Sequence, residues 1–281
     1  MFDAIDWYRP WLAPLLPVLQ EAVGPGLNIQ GADQVDRRLD DWRHIFNAAA
    51  ARAAIKNHRA LPLQFADQAE LPAATSYEAF ISDTGRVPTR RNLHDFFNAL
   101  VWLAYPLVKA QLNAIQAAEL NRLRAAGVVP DQPGDRSTRG RVRDRATIFD
   151  ENAAILVSAE PAVDDAMRSH AWNDALVLQR AAFGTTCEVR LFGHALIEKL
   201  VTPYKAITAH VWVLRVSEDY FALTARERGA LIDRMLCERL QGGLLDTAPM
   251  PLPVLGVPGW WRVQDAAFYA DASVFRPPRA R

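Results

Sequence analysis

Residues 77–116 have the sequence YEAFISDTGRVPTRRNLHDFFNALVWLAYPLVKAQLNAIQ, which places ionisable side chains inside an otherwise apolar run. Asn92 belongs to the residue types that cap helix N-termini, so a helix is expected from there through Tyr105. Pro106 suits the first turn of a following helix, and Gly127 is expected to stop that helix. These two helices are predicted to form the central scaffold of the fold.

Helical periodicity also dominates the rest of the chain, because apolar residues recur at intervals of three and four. Further helices are predicted at residues 36–56, 77–82, 162–182, 194–201, 204–216 and 225–241. A hairpin is predicted from residues 146–149 and 153–158, and a strand at 187–192. The sequence therefore predicts an α+β fold, predominantly helical, with a small β-sheet or hairpin. It is expected to form a single compact domain over 1–281, with a soft boundary in the loop 128–145.

The composition of the 281 residues, 50% hydrophobic and 23% charged, is typical of a globular chain with a large core. Its 32 basic and 32 acidic residues cancel, so no overall field would attract nucleic acid or an anionic membrane. The longest uncharged apolar run, residues 96–108, is well short of the roughly 20 residues that span a bilayer, and no membrane segment is predicted. Cys187 and Cys237 are too few for a disulfide framework and are expected to be reduced thiols of a cytoplasmic protein.

Sequence signatures of common reaction classes are absent, among them G-x-S-x-G, G-x-G-x-x-G, H-E-x-x-H and C-x-x-C. The first candidate site is therefore a cluster of polar residues, His94, Asp95 and Asn98. His94 and Asn98 are four residues apart and lie along one edge of the apolar stripe of their helix. An imidazole there would act as a general base or bind a metal, with Asn98 orienting a substrate. The structural alternative is that Asp95 stabilises the helix N-terminus and His94 bonds to a neighbour.

A second candidate is a divalent metal site. His194 and Glu198 are four residues apart on a predicted helix, a spacing that lets both side chains bind one ion. His210 is a candidate third ligand and Asp150 or Glu151 a fourth, giving a nitrogen and oxygen site suited to zinc, manganese or iron. The alternative is an ordinary hydrogen bond or ion pair on the helix.

A third candidate is a local excess of arginine. Five arginines lie within ten residues: Arg136, Arg139, Arg141, Arg143 and Arg145. If Arg141, Arg143 and Arg145 share one face of an extended segment near Arg90 and Arg91, they would bind a phosphate or carboxylate. The alternative is a solvated loop that pairs with surface acids.

Five blocks of sequence carry a resemblance to a known family. They are TGRVPTRRNLHDFFNAL (84–100), RGRVRDRATIFDEN (139–152), FGHALIEKL (192–200), PYKAITAH (203–210) and PLPVLGVPGWW (251–261). In these blocks the chain resembles the bacterial proteins grouped as domain of unknown function 3025. That resemblance implies a shared fold and a bacterial cytoplasmic setting, and it assigns no reaction, cofactor or partner. Ala153 after Asn152 and Ala270 before Asp271 depart from the family pattern.

Two functional hypotheses follow from these residues. The first is a metal-assisted hydrolase whose pocket joins the three histidines 94, 194 and 210, with metal-bound water as the nucleophile and Asp95 or Glu198 as the proton acceptor. The second is a non-catalytic protein that uses the arginine-rich loop to bind an anionic ligand, RNA or an acidic partner. A purely structural or assembly role is a third. Whether the histidines converge in space decides the first hypothesis.

Overall fold

The computed structural model describes residues 2–24, 37–73, 75–127 and 140–277. Within them the helices are α1 (Leu16–Val23), α2 (Trp42–Arg52), α3 (Tyr77–Thr84), α4 (Leu93–Ala104), α5 (Pro106–Ala125), α6 (Arg141–Asn152), α7 (Pro161–Arg168), α8 (His194–Lys199), α9 (Ala225–Gln241) and α10 (Ala266–Tyr269). The strands are β1 (Gln64–Asp67), β2 (Arg86–Thr89), β3 (Ala153–Ser158), β4 (Cys187–Leu191), β5 (Thr208–Arg215) and β6 (Met250–Pro253). The protein is therefore α+β and predominantly helical, as predicted.

The predicted scaffold of α4 and α5 is confirmed. The Asn92 side chain accepts a hydrogen bond of 2.8 Å from the backbone N–H of Asp95, which caps α4. Pro106 opens α5, and the carboxylate of Asp233 on α9 accepts the next two backbone N–H groups, from Leu107 at 3.1 Å and Val108 at 3.0 Å. A side chain from a third helix thus satisfies donors that a helix start leaves free.

The larger sheet has the strand order β4-β3-β5-β6. Its central strand β3 is antiparallel to β4 and parallel to β5, and every residue of β3 is buried. β1 and β2 form a separate parallel pair. One hydrophobic core contains residues from Phe2 to Phe275 and joins this sheet to the helices.

Both cysteines are free thiols. Cys187 is buried at the start of β4, and burial raises the pKa of its thiol to about 12. Cys237 lies on α9 and is partly exposed.

Several predicted elements are wrong. Residues 146–149 belong to α6 rather than to a hairpin, because Arg143, Ala146 and Phe149 are buried at helical spacing. The predicted helix 204–216 is instead the strand β5. The predicted helix 162–182 ends at Arg168, and His170 has a positive φ of 57°. Much of the predicted boundary loop, residues 128–139, lies outside the described residues.

In the part of the chain that the structure describes, no helix combines the length and apolar character needed to cross a membrane.

Candidate functional site

A polar cleft of about 320 Å³ lies where α3, α4, α5, α6 and α8 meet. Four of its polar side chains come from four of these helices: His94, Lys109, Asp150 and His194. The cleft therefore depends on the packing of elements that are distant along the chain.

Gly193 brings α8 against the junction of α6 and β3. The backbone N–H groups of Phe192 and Gly193 both donate to the carbonyl of Ala153, at 3.0 and 2.8 Å. A Cβ atom at Gly193 would lie 2.5 Å from the backbone of Glu151 and Asn152. Only glycine permits this approach, which places His194, the first residue of α8, beside Asp150 at the end of α6.

The imidazoles of His94 and His194 are in direct contact. Their Nε2 atoms are 3.1 Å apart, and their ring planes are inclined at 74°. The Nδ1 atom of His94 lies 2.9 Å from Oε2 of Glu198. Because an ionised carboxylate only accepts hydrogen bonds, Nδ1 of His94 carries a proton. In the neutral pair, Nε2 of His94 then accepts a hydrogen bond from Nε2–H of His194.

His194 is a buried, neutral histidine at neutral pH. The residue is 4% exposed, and burial lowers its pKa to about 4. Its Nδ1 atom lies 3.8 Å from Oδ2 of Asp150 and has no hydrogen-bond partner. The backbone of Asp150 opposes this lowering of the His194 pKa. Nδ1 nevertheless makes no hydrogen bond of ordinary geometry.

Lys109 and Asp150 form an ion pair in the cleft wall. Lys109 is 4% exposed, and its Nζ lies 2.5 Å from Oδ1 of Asp150 and 2.7 Å from Oδ1 of Asn98. Burial lowers the pKa of Lys109, and the carboxylate of Asp150 opposes that effect. Burial alone would raise the pKa of Asp150, but the Lys109 ammonium and the two nearby imidazoles hold this pKa below its usual value.

The amide of Asn98 extends this polar chain to Tyr77. Its Nδ2 atom donates to the Tyr77 hydroxyl at 3.0 Å. Burial raises the pKa of Tyr77, so the phenol stays protonated. Hydrogen bonds and close contacts thus run from Glu198 through both histidines to the Asp150–Lys109 pair, and on to Asn98 and Tyr77.

Comparison with known proteins places the chain in a family. A family model described as a protein of unknown function, DUF3025, matches residues 63–279. The chain belongs to the DUF3025 family. The five blocks quoted above lie inside the matched range, so the predicted resemblance is confirmed. No curated protein and no solved structure matches the chain.

In this DUF3025 protein, Asp95 is engaged in holding the start of α4. Its carboxylate accepts hydrogen bonds from the backbone N–H of Arg90 at 2.6 Å and from Nε and Nη2 of the same arginine at 2.9 and 3.2 Å. The predicted catalytic residue Asp95 and the predicted anion-binding residue Arg90 therefore neutralise each other. His94 and Asn98 line the cleft, and Glu198 is bound to His94.

The predicted fork-donor surface of arginines is not formed by the described residues. Arg141, Arg143 and Arg145 lie at the start of α6 and not on an extended segment, so Arg143 faces away from the other two. Arg143 is buried and lies 3.6 Å from Glu78, whereas Arg145 pairs with Asp246. Elsewhere, Arg91 donates to the backbone carbonyl of Asp40. Arg136 and Arg139 lie outside the described residues.

The predicted ligand set of His194, Glu198, His210 and Asp150 does not assemble. His210 lies on β5, where its Nδ1 is 2.8 Å from Nδ2 of Asn152, and it does not line the cleft. Nowhere in the described ranges do three or more His, Cys, Asp or Glu side chains converge in a way that would hold a metal ion. The reason is the strand geometry of β5, whose register places His210 opposite Ala153 at the edge of the α6–β3 junction.

Sequence reasoning missed Lys109 and Tyr77. A signal for Lys109 was present, because Lys109, Asn113 and Gln116 recur at helical spacing and are all buried on α5. A row of polar residues on the buried face of a long helix indicates a polar cleft.

Proposed function

We propose that this DUF3025 protein is a hydrolase-type enzyme that uses general acid–base chemistry at the pair His94 and His194. The observation that carries the proposal is the 3.1 Å contact between the two Nε2 atoms, with the Glu198 carboxylate behind His94. A histidine oriented by a carboxylate and placed in a cleft is a common arrangement for proton transfer.

The pair is arranged to move a proton from the side of Asp150 toward Glu198. A proton accepted at Nδ1 of His194 makes that ring cationic, and the shared proton then shifts from Nε2 of His194 to Nε2 of His94. The positive charge ends on His94, where Glu198 lies 2.9 Å away and stabilises it. His194 returns to the neutral form that its burial favours.

Asp150 and Lys109 are proposed to connect a substrate in the cleft to the two histidines. Oδ2 of Asp150 faces Nδ1 of His194 at 3.8 Å, and the Asp150 side chain is one-fifth exposed. In the proposed reaction Asp150 takes a proton from a water that attacks the substrate and passes it to His194, and the reverse transfer protonates the leaving group as its bond to the substrate breaks. Lys109 donates to Asp150 and Asn98, which leaves one of its three N–H groups for negative charge on a substrate oxygen.

The test is the activity of His94→Gln and His194→Gln against ester, amide and phosphoester substrates. Each substitution is expected to lower the rate by roughly 100-fold or more, the usual contribution of a positioned acid or base. His44→Gln is the matched control, because His44 is exposed on α2 and does not line the cleft. Turnover with an unchanged pH profile in His94→Gln contradicts the proposal, as does a wild-type protein that hydrolyses none of the three classes.

One observation favours a metal-assisted form of the same reaction as a second candidate. Two nitrogens bound to one tetrahedral zinc ion would be roughly 3.4 Å apart, close to the 3.1 Å between the two Nε2 atoms. Glu198 would be the carboxylate behind the liganding His94. His210 is not available, so the described residues offer this ion two nitrogens, and water or substrate would supply the other ligands.

Elemental mass spectrometry of the purified, untagged protein tests the metal-assisted form. Near one equivalent of metal in the wild type, lost in His194→Ala, is expected if the two imidazoles hold an ion. Wild-type protein without bound metal, or a His194→Ala variant that keeps one equivalent, contradicts it and leaves the metal-free proton relay.

We also propose that the protein works in a bacterial cytoplasm. Support comes from the two free thiols, which a reducing compartment preserves.

A further inference from the structure

Each cation at the cleft already has a carboxylate partner in the described structure. Lys109 pairs with Asp150, and Arg90 pairs with Asp95. The buried Arg143, behind the wall, pairs with Glu78 at 3.6 Å. An anionic ligand would therefore have to compete with carboxylates that are held in place.

Carboxylates exceed cations among the described side chains that line the cleft. The cations are Arg90 and Lys109, and the carboxylates are Glu78, Asp95, Asp150 and Glu151. Glu151 is exposed at the end of α6, and its charge acts on the Lys109 ammonium, although no salt bridge joins it to a described residue. Four residues before it, Thr147 lines the same cleft, so Glu151 lies on the face of α6 that a ligand would contact.

A second, independent feature of the cleft is a buried acceptor without a donor. Asn113 of α5 is 4% exposed and lines the cleft. Its Nδ2 donates to the backbone carbonyl of Glu78 at 2.8 Å, which fixes the orientation of the amide. Its Oδ1 then has no hydrogen-bond partner. An unsatisfied buried oxygen is costly, and a ligand N–H would satisfy it.

We propose that the substrate carries a positively charged nitrogen group, an ammonium or a guanidinium, that binds along the wall formed by α5 and α6. Glu151 supplies an exposed charge outside any described salt bridge, and Asn113 supplies a carbonyl acceptor. This inference rests on the proposed function, because it names the substrate class of the same cleft. It also replaces the anionic ligand that the arginine-rich sequence suggested.

Three probes of the same shape and different charge test the inference: benzamidinium, benzamide and benzoate. Binding to the full chain is measured by ligand-observed NMR and calorimetry at low and high salt. Benzamidinium is expected to bind about tenfold or more tightly than benzoate, a difference that salt reduces, with benzamide between them. Equal affinities, a preference for benzoate, or no binding of benzamidinium overturns the proposal.

Substitutions locate the binding site. Glu151→Gln is expected to weaken benzamidinium by about two- to fivefold, the size of an exposed ion pair, and to leave benzamide unchanged. Glu160→Gln is the matched control, because Glu160 is exposed and does not line the cleft. An unchanged benzamidinium affinity in Glu151→Gln overturns the assignment of the site.

The same probes separate this inference from the proposed enzyme. The order of affinities is expected to persist in His94→Gln, because His94 is not one of the residues proposed to bind the cation. Charge-selective binding without any hydrolysis would refute the acid–base proposal alone. Hydrolysis lost in His94→Gln without charge selectivity would refute the cationic substrate alone.

Discussion

Lys109 places an ammonium group on the buried face of α5. Its two oxygen partners, on Asp150 and Asn98, lie on different helices, so one side chain joins α4, α5 and α6. The ring of Trp102 lies below it, 5.5 Å from Nζ, and adds a cation–π contact. The cation therefore contributes to the fold as well as to the cleft.

Replacing Lys109→Met is expected to lower the free energy of unfolding by about 3 kcal/mol, measured by urea denaturation. Breaking a buried ion pair costs about 3–5 kcal/mol, and the partial exposure of Asp150 places this pair at the low end. The double variant Lys109→Met with Asp150→Asn is the control and is expected to recover part of the loss. A double variant no more stable than the single one contradicts this account.

The buried carboxyl of Asp233 is expected to make the free energy of unfolding depend on pH. Burial raises the pKa of its carboxyl to about 6, although the N–H groups of Val108 and Leu107 oppose the rise. In the unfolded chain the pKa is about 3.9, so the folded protein binds this proton more tightly. The contribution of this group to the free energy of unfolding is fully present below a pH of about 4, and it is lost as the pH rises through about 6.

The comparison with Asp233→Asn isolates this effect. Between pH of about 4 and 7, the wild type is expected to lose on the order of 3 kcal/mol relative to the variant. Urea unfolding of both proteins across this range measures the difference. A constant difference would contradict the raised pKa, and one that grows in favour of the wild type at high pH would show that the charged form caps α5 better than the neutral form.

At the level of elements, the sequence correctly predicted helix boundaries that are set by a capping residue or by proline. Asn92 and Pro106 mark helix starts by capping and by a fixed φ, and both boundaries are confirmed. The capping box of Thr224 and Glu227 likewise opens α9. Strand β5 was predicted as a helix because it is buried on both faces and lacks simple alternation.

The error at α6 has a different physical cause. Its first turn contains Arg143, whose charge hides a buried position from any hydrophobic pattern. Thr147 and Ile148 have β-branched side chains, which favour strands in isolation. Packing against α5 and α8 outweighs that preference.

Gly193→Ala is expected to destabilise the protein by more than about 2 kcal/mol and to separate His194 from Asp150. Its φ of −60° is ordinary, so the cost comes only from the collision of the new methyl group with the backbone of Glu151 and Asn152. Thermal and urea denaturation measure the loss. Gly229→Ala is the control, because Gly229 lies in α9 with open space around it, and alanine there should stabilise by about 0.5–1 kcal/mol.

At the level of the whole molecule, the candidate site lay beyond sequence reasoning because its contacts are long-range. His94 and His194 are 100 residues apart, and His94 and Glu198 are 104 apart. The spacing of His194 and Glu198 was visible, but Glu198 bonds to the histidine of α4 and not to that of its own helix. The spacing of four residues indicated that a histidine and a carboxylate take part in the site. Only the packing of α4 on α8 shows that both contact His94.

A single domain remains a prediction for the whole chain, and unfolding tests it. Because one core joins residues from Phe2 to Phe275, we expect one cooperative transition. Far-UV and near-UV circular dichroism in urea should give the same midpoint. Separate midpoints, or a stable fragment after limited proteolysis within residues 128–139, would contradict it.

The two thiols differ in exposure, so their rates of alkylation measure local unfolding of the native protein. Cys237 is partly exposed on α9 and should react with an alkylating reagent in the native state. Cys187 is 1% exposed in an edge strand, so its alkylation must wait until β4 leaves β3. Pulses of reagent followed by mass spectrometry therefore give the rate at which the central sheet comes apart, with Cys237 as an internal standard and no engineered label.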